Sequence, residues 1–592
     1  MDEDTWDVLI LGTGVTESVL SAALSRTGKR VLHVDPSPYY GGASAGLTLR
    51  QLSQWAADGG GDMSFPRDPS VARGEIPAAC IPVDLHYSLC LRPTLLPCRG
   101  PMIEALIRSN VASHATFRLL DYASVWTDGS VRRVPGSKSD IFTDKDISLA
   151  DKRRLMRFLQ LAGGTDASDA QTTGDPRSFP ETLQGLGLDA HLLAAIQYGV
   201  SLCWNGLESS DTALARTRRY IQGVGRYGDS AFLVGQYGGA AELVQGFCRS
   251  SAVHGGVFVL GHAVASLSAA DAGSRPPWRL QLEGIPDVFH ARHLVAAASS
   301  VDRHRSLHML RPFIAGAPSA GDTLEHVGIV VTDAPLRSSV ADAARADAAP
   351  SETALLVFPP HAVRGGDGEV PDNENAVFVL MQGEGTFSCP KGQYVYYLTT
   401  FTRAGTSSAP SATAALAPAV RLLQTLLQQP DARTAARGST PAPSDGALSD
   451  GAPSDGARAP VALFFCTHRI PSLVHTTPPP APFTPIPESR SARSPGTPAS
   501  SLWLHDVDAP AQSVPNLTET LDLCVEEAES VFWQIVGESH RRSALQAASV
   551  RAKQHDPAEY QGRGGVDPVT RHVPEAGLEF FAPQATGSDD AV

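Results

Sequence analysis

The stretch that decides the fold is WDVLILGTGVTESVLSAALSRTGKRVLHVDPSPYYGG, residues 6–42. The run Val8–Leu11 is short and apolar, as expected for a buried parallel strand. Val15–Leu24 then predicts a helix, and Arg30–Val34 predicts a second strand that ends at Asp35. The order strand, helix, strand is that of a β-α-β unit, which opens a dinucleotide-binding fold.

The turn between the first strand and the helix carries a glycine fingerprint with one substitution. Gly12 makes the tight turn and Gly14 lets the backbone approach phosphate, but Glu17 stands where the third glycine belongs. The Glu17 carboxylate suits the positive end of a helix, yet it would fill the space of a pyrophosphate and repel its charge. Asp35 stands where an acidic residue binds ribose hydroxyls, although such a residue often only ends a strand. We therefore predict a dinucleotide-type fold that binds neither flavin nor nicotinamide.

Length and composition describe a globular protein with more than one domain. The chain has 592 residues, 42% hydrophobic and 19% charged, with a net charge of -14. This acidity and the lack of Lys/Arg blocks argue against nucleic-acid binding. The eight cysteines are scattered, so the sequence predicts neither a metal site nor a disulfide framework. An acidic start and the absence of an apolar run long enough to span a bilayer predict a cytosolic protein.

Apolar periodicity divides the chain. Two helical stripes predict an all-helical domain inserted at 106–220. Strand-like segments on both sides predict a discontinuous β-rich domain that a helix closes, and Ala/Ser/Pro-rich composition predicts disorder in two segments. The stripes are Leu155, Phe158 and Leu159, and Leu192, Ile196 and Val200. The predicted parts of the β-rich domain are 1–105, 221–403, 461–475 and the closing helix at 503–540; the disordered segments are 404–460 and 476–502, and a tail covers 541–592.

Several segments carry a family resemblance. LGTGVTESVLSAALSRTGKRVLHVDPSPYYGGASAGLTLRQL resembles the N-terminus of the Rab GDP-dissociation inhibitor and Rab escort protein superfamily, in which G-T-G-x-T-E and Y-Y-G-G are characteristic. VPGSKSDIFTDKDISLADKRRLMRFL resembles the first part of its helical domain. RYGDSAFLVGQYGGAAELVQGFCRSSAVHGGVFVL is similar to its second signature. Together with IPVDLHYSLCLRPTLLPCRGPMIEALIRSNVASHATF, these matches cover much of residues 6–260 in the family's order.

The resemblance implies both a fold and a function. The fold is α/β: a flavoprotein-like, Rossmann-type, discontinuous domain I that binds no flavin, with an all-helical domain II inserted in it. The function is to bind GDP-bound Rab GTPases and to shield their geranylgeranyl lipid. This role requires no catalytic residue, no metal and no cofactor of the chain's own.

The resemblance also implies site residues. The superfamily's Rab-binding platform uses the second Tyr of Y-Y-G-G and a Glu and an Arg of the second signature, which match Tyr40, Glu242 and Arg249. The segment YGGAAE has one residue more than the family's Y-G-x-G-E, so the match at Glu242 is less secure than the other two. A ring that caps a strand end and a solvated helix face are the structural alternatives. The isoprenoid lies between domain II helices in the superfamily, so the two stripes are candidates for its pocket, with plain helix packing as the alternative.

The segments that lengthen the chain favour the escort branch of the superfamily. These are the insertions at 404–460 and 476–501, FWQIVG at 532–537, and the tail at 537–592. Escort proteins present new Rab to the α/β heterodimer of Rab geranylgeranyltransferase and deliver prenylated Rab to membranes, without catalysis of their own. One alternative is a dissociation inhibitor that recycles prenylated Rab. The other is a flavin-dependent oxidoreductase, against which Glu17 argues.

Overall fold

The computed structural model describes residues 5–136, 138–143, 147–163, 178–269, 278–297, 323–336, 351–363, 372–403, 411–428, 462–472, 502–505, 516–537, 540 and 580–581. Predictions for residues 404–410, 429–460 and 476–501 and for most of 541–592 lie outside these described residues. The strands in chain order are β1 Thr5–Leu11, β2 Val31–Asp35, β3 Gly46–Leu47, β4 Asp62–Ser64, β5 Leu89–Cys90, β6 Leu96–Pro97, β7 Phe117–Leu119, β8 Tyr122–Thr127, β9 Ser130–Arg133, β10 Phe232–Gly235, β11 Val257–Leu260, β12 Val264–Ala269, β13 Trp278–Leu282, β14 Val288–Ala297, β15 Thr323–Thr332, β16 Thr353–Phe358, β17 Val377–Gln382, β18 Tyr394–Arg403, β19 Ala462–Ser472 and β20 Leu502–His505. The α-helices are α1 Val15–Arg26, α2 Leu49–Trp55, α3 Pro101–Arg108, α4 Lys138–Thr143, α5 Leu149–Gly163, α6 Phe179–Gln184, α7 Ala190–Ala194, α8 Ser210–Gly223, α9 Ala240–Val253, α10 Ala412–Gln428 and α11 Thr520–Val536.

A sheet with a parallel centre forms the dinucleotide-type half of domain I. β1 pairs in parallel with β2 on one side and with β14 on the other, and β11 continues the sheet beyond β2. Antiparallel β13 and β12 extend it beyond β14, whose far end pairs with β20. Val8–Leu11 is buried on both faces of the sheet, which explains why its sequence is a continuous apolar run.

Helices from distant parts of the chain cover this sheet. α1 packs against both α9 and α11, and α11 also packs against α3. Val19 of α1, Phe247 of α9 and Phe532 of α11 belong to one buried apolar core. The closing helix therefore completes domain I, and this domain is discontinuous in sequence. The helix was predicted over 503–540, but it spans only Thr520–Val536, and Leu502–His505 is strand β20 of the sheet.

A second sheet forms the other half of domain I. Its strands follow the order β4-β19-β15-β18-β17-β16-β8-β9. The middle strands are apolar on both faces, as in Val377–Gln382, because both faces are covered. One face packs against the loops and short strands that follow β2, and α10 covers the other.

The prediction of disorder over 404–460 is wrong for the helix Ala412–Gln428. Leu416 and Leu423 of this helix are fully buried against Leu398 and Val330 of the sheet. They lie seven residues apart, which is two helical turns, so both point to the sheet. The many Ala and Leu residues of this helix have high helix propensity, and burial of the stripe adds the tertiary packing that contributes most of the stability of a protein helix.

Two predicted boundaries also need correction. The helical domain was predicted to begin at 106, but Tyr122–Thr127 and Ser130–Arg133 are strands of the second sheet, so the inserted helices start only at Lys138. The β-branched and aromatic side chains in YASVWT suit a pleated sheet. The predicted tail is not wholly separate either, because Phe580 and Phe581 are buried in the core of domain I.

The inserted domain II consists of α4 to α8. α7 continues as a π-helix through Ala195–Val200. Its apolar side chains form a core of their own, in which the rings of Phe158 and Phe179 lie 6.5 Å apart.

Candidate functional site

The side chain of Glu17 fills the space beside the glycine fingerprint, where a dinucleotide-binding fold holds its ligand. Gly12 has a φ of 100°, which makes the tight turn after β1. Glu17 is buried in the first turn of α1, where its carboxyl group folds back over Gly14. A Cβ atom on Gly14 would lie only 2.5 Å from Oε2 of Glu17. The carboxylate thus occupies the helix N-terminus, where a dinucleotide fold holds its pyrophosphate.

Asp35, the second acidic residue of the fingerprint, accepts hydrogen bonds from the neighbouring turn and loop. Oδ2 of Asp35 accepts hydrogen bonds from the Thr13 backbone N–H over 2.7 Å and from the Thr13 hydroxyl over 2.6 Å. Its Oδ1 accepts from the Ser37 backbone N–H over 2.8 Å. Gly41 in turn donates to the Thr13 side chain over 3.1 Å. Asp35 therefore anchors the loop that carries Tyr40 and does not point toward the position of a ribose. Because Glu17 also occupies the phosphate position, the two carboxylates do not fit a bound dinucleotide.

Tyr40 lies at the edge of this anchored loop. Its half-buried ring meets the ring of Phe258 edge-on, with centroids 5.9 Å apart. Burial, and then the neighbouring Cys248 thiol, raise the pKa of the Tyr40 hydroxyl. Cys248 belongs to α9, so Tyr40 lies beside the turn of α9 that also carries Arg249.

α9 presents the other two predicted platform residues on its outer side. Arg249 is exposed and Glu242 is half-buried, whereas Val244 and Phe247 between them face the core. Glu242 accepts long hydrogen bonds of 3.4 Å from the backbone and hydroxyl of Thr116, and burial raises the pKa of its carboxyl group. The structure thus brings Tyr40 and Arg249 to one end of α9 and Glu242 to the other, two turns away.

The extra residue of YGGAAE falls in a turn that can absorb it. Gly238 and Gly239 have φ values of 85° and 62°, a conformation that glycine adopts readily. Gly238 also packs closely against Ser88 and Gly46, where side chains would collide. The turn leaves Glu242 in the first turn of α9, on the outer side of the helix.

Domain II contains an apolar cavity of about 410 Å³. This volume falls within the range of roughly 300–1,000 Å³ that is typical of ligand pockets. Four of the predicted lipid-pocket residues also belong to the buried core of domain II, so they contribute both to helix packing and to the cavity wall. All six predicted residues line this cavity, namely Leu155, Phe158, Leu159, Leu192, Ile196 and Val200.

The sequence prediction missed two walls of the cavity. Tyr220, Ile221 and Val224 project from α8 and its end, and Val134–Gly136 closes the side toward domain I. The hydroxyl of Tyr220 donates to the Gly136 carbonyl over 3.3 Å, which ties these two walls together. The helical spacing of Tyr220, Ile221 and Val224 is the sequence signal that could have revealed the α8 wall.

No helix among the described residues is long and apolar enough to cross a membrane. Within the same residues, no group of three or more His, Cys, Asp or Glu side chains could hold a metal ion.

The Rossmann-type domain with its inserted helical domain places the protein in the flavoprotein-like class, although Glu17 takes the position of the pyrophosphate. The family model described as GDP dissociation inhibitor matches residues 1–301, which hold both signatures and all of domain II. This match spans more than half of the chain, so the protein belongs to the GDP dissociation inhibitor family.

Individual relatives agree with this membership. The chain is 27% identical over 428 residues to the Rab proteins geranylgeranyltransferase component A of Drosophila melanogaster, a match that covers 67% of this chain and 74% of the relative. It is 30% identical over 271 residues to the Rab GDP-dissociation inhibitor of Saccharomyces cerevisiae, which covers 44% of this chain and 57% of the relative. Matches to two further component A relatives span only 59% and 62% of their lengths.

A solved structure confirms the predicted fold class. The Rab GDI of Plasmodium falciparum superposes with a TM-score of 0.55 at 16% identity, and the match covers 90% of this chain and 97% of that one. At this identity the likeness establishes the fold alone.

Proposed function

We propose that this chain is a Rab escort protein. It binds GDP-bound Rab GTPases, presents them to the α/β heterodimer of Rab geranylgeranyltransferase and delivers the prenylated product to membranes. The observation that carries this proposal is the combination, in one chain of the GDP dissociation inhibitor family, of an outward-facing α9 with Tyr40 beside it and an apolar cavity in domain II.

The platform supplies affinity before any lipid is attached. Tyr and Arg side chains, here Tyr40 and Arg249, offer large contact areas with directional hydrogen bonds and are over-represented at binding hot spots. Asp35, Thr13 and Gly41 form a hydrogen-bonded chain that fixes the loop of Tyr40. A loop that is already ordered loses less conformational entropy on binding, which favours affinity.

The cavity supplies a site for the geranylgeranyl lipid. Its walls are mostly apolar side chains from α5, α7 and α8. Each buried CH₂ group contributes about 0.8 kcal/mol, so a chain of about twenty carbons offers a large gross stabilisation even when it is only partly buried. The lipid must leave again at a membrane, which suits a cavity that opens to the surface.

The comparisons favour escort over recycling. The match to the Drosophila component A protein covers 67% of this chain, whereas the match to the yeast dissociation inhibitor covers 44%. In this role the chain is an accessory subunit, and the bond to the lipid is formed by the transferase. A cytosolic location with transient contact to membranes follows from the same role.

Reconstitution tests the proposal. Unprenylated GDP-bound Rab, the transferase and a geranylgeranyl donor are mixed with and without this chain, and lipid transfer is followed over time. We expect transfer to depend on the chain, and we expect the chain to bind unprenylated Rab on its own. Tight binding to prenylated Rab, with neither unprenylated binding nor support of transfer, would assign the chain to the inhibitor branch.

The flavin oxidoreductase is the candidate from a different class. The positions of the Glu17 and Asp35 carboxylates argue against it. The absorption spectrum of the purified protein distinguishes the two classes, since stoichiometric flavin would support the oxidoreductase. We expect the Glu17→Gly variant alone to bind no flavin either, because Asp35 still binds its own turn.

A further inference from the structure

Two exposed aromatic rings stack on each other near the platform. Tyr237 follows β10 and Phe387 lies in the loop after β17, and their rings are 4.8 Å apart and nearly parallel, at 6°. The two side chains are 46% and 50% exposed. About half of each ring therefore stays in water, and this apolar area could be covered by a partner.

Both residues have a backbone conformation that is costly for a bulky side chain. The φ of Tyr237 is 50° and the φ of Phe387 is 55°, in the left-handed region that glycine prefers. Phe387 directly follows a short 3₁₀ helix, at a position where chains commonly place glycine. Residues held in such conformations cluster at functional sites, so two adjacent cases with half-exposed rings indicate binding.

The surrounding loops hold the pair rigidly. The Tyr237 backbone N–H donates to the Thr386 carbonyl over 2.9 Å, and the Gln236 side chain donates to the Gly385 carbonyl over 2.8 Å. The Gly385 N–H donates to Glu352 over 2.8 Å. The two rings are therefore pre-organised, which reduces the entropy lost when a partner covers them.

The pair is continuous with the platform. Gln236 donates its backbone N–H to the carbonyl of Thr116, the residue whose N–H and hydroxyl reach Glu242. On the other side, Gly238 packs against Gly46, which follows the loop of Tyr40. A protein that covers the outer side of α9 at Glu242 would reach Tyr237 with the same surface.

We propose that Tyr237 and Phe387 form an aromatic anchor that extends the platform and binds an apolar side chain of the GDP-bound Rab. This inference rests on the proposed function. Glu242 and Arg249 are charged, so their contacts depend on salt, whereas the anchor offers two uncharged rings and one hydroxyl group. An apolar side chain of the Rab would cover the ring faces, and such a contact is insensitive to salt.

Glycine substitutions test the anchor. Tyr237→Gly and Phe387→Gly remove each ring while they relieve the left-handed backbone, so the melting temperature should stay equal or rise. Affinity for unprenylated GDP-bound Rab should fall about tenfold or more in each variant, by the same factor at low and high salt. The double variant should lose little beyond either single one, because the rings act as a pair. Tyr227→Ala is the control, since this Tyr is 47% exposed at the other end of β10.

The outcomes separate this inference from the proposed function. Wild-type affinity in both glycine variants, with weakened binding in Arg249→Ala, would refute the anchor and leave the platform standing. Wild-type affinity in these variants and in Tyr40→Ala and Arg249→Ala would refute the platform as well. A lower melting temperature together with weaker binding would mean that the rings are structural, and this result would also overturn the anchor.

Discussion

Arg216 and Glu519 join the two domains through a buried, two-pronged ion pair. Nε and Nη2 of Arg216, on α8 of domain II, donate to the two carboxylate oxygens of Glu519 over 2.7 and 2.9 Å. Glu208 binds the remaining side of the guanidinium. Burial lowers the pKa of the Arg216 guanidinium, but the Glu519 and Glu208 carboxylates raise it by more, so the pKa is raised overall. Because α8 also lines the cavity, this pair fixes one cavity wall to the residue that precedes the closing helix.

The Arg216→Met variant tests the strength of this link. Removal of the cation leaves Glu208 and Glu519 near each other without their partner, which costs about 3–5 kcal/mol for a buried pair. Chemical denaturation measures the loss in the free energy of unfolding. Arg132→Met is the matched control, because its ion pair with Asp128 is on the surface, with side chains 45% and 75% exposed. Equal losses in the two variants would contradict the assigned role of Arg216.

Asp522 makes stability depend on pH near neutrality. Burial raises the pKa of this carboxyl group from 3.8 to about 7, although the Met102 N–H and Arg219 favour its charged form and Glu526 and Glu519 oppose it. A raised pKa in the folded state means that the contribution of Asp522 to stability is full below about pH 4 and is lost as pH rises through about 7. We expect Asp522→Asn to flatten the fall in the free energy of unfolding between pH 5 and 8. Parallel profiles for variant and wild type in urea unfolding would contradict this assignment.

The sequence predicted most elements of domain I because each has a strong local pattern. The apolar run in β1 and the helical stripe in α11 are long enough to be recognised without tertiary information. Helix α10 was missed because Pro418 and the surrounding Ala-rich and Ser-rich composition are typical of disorder. Its stripe of Leu416 and Leu423 is short, and its burial is favourable only because the second sheet presents an apolar face to it.

Leu416→Ala tests whether α10 is structural. The side chain is fully buried against the sheet, so truncation should lower the free energy of unfolding by about 2–5 kcal/mol. Arg421→Ala, on the exposed side of the same helix, should change it by less than about 0.5 kcal/mol. If thermal or chemical denaturation finds no difference between the two variants, α10 contributes nothing to the fold.

The site was only partly accessible from sequence. Helical spacing identified which sides of α5 and α7 are apolar, and those sides do line the cavity. The same spacing in Tyr220, Ile221 and Val224 marks the apolar side of α8. Spacing says nothing about whether facing helices fill the space between them, so the cavity itself could not be predicted. The stacked pair of Tyr237 and Phe387 was equally hidden, because it joins residues 150 positions apart in sequence.

In the superfamily that the sequence resembles, the contact to the transferase lies on domain II, and Phe142 is an exposed aromatic residue of this domain. Its side chain is 61% exposed at the end of α4, where its carbonyl accepts a 2.9 Å hydrogen bond from Lys152 of α5. We expect Phe142→Ala to weaken transferase binding about tenfold or more, as at a hot spot, while affinity for Rab stays unchanged. Leu207→Ala, at an equally apolar position that is 83% exposed, is the control. Unchanged transferase recruitment in a reconstituted assay would exclude Phe142 from the contact.

Leu159→Trp separates lipid binding from protein binding. Leu159 lines the cavity and is only half-buried, so a larger ring can occupy the cavity with little disturbance of the helix core. When the ring fills the cavity, the lipid can no longer bury its CH₂ groups there, and each of them loses about 0.8 kcal/mol of stabilisation. Affinity for prenylated Rab should therefore fall at least tenfold. Affinity for unprenylated Rab should remain at the wild-type level, because in the proposed function that complex uses the platform of domain I. Leu149→Trp, 77% exposed on the same helix, controls for the added ring. Equal affinities of Leu159→Trp and wild type for prenylated Rab, measured by competition with a fluorescent prenylated Rab, would mean that the lipid binds elsewhere.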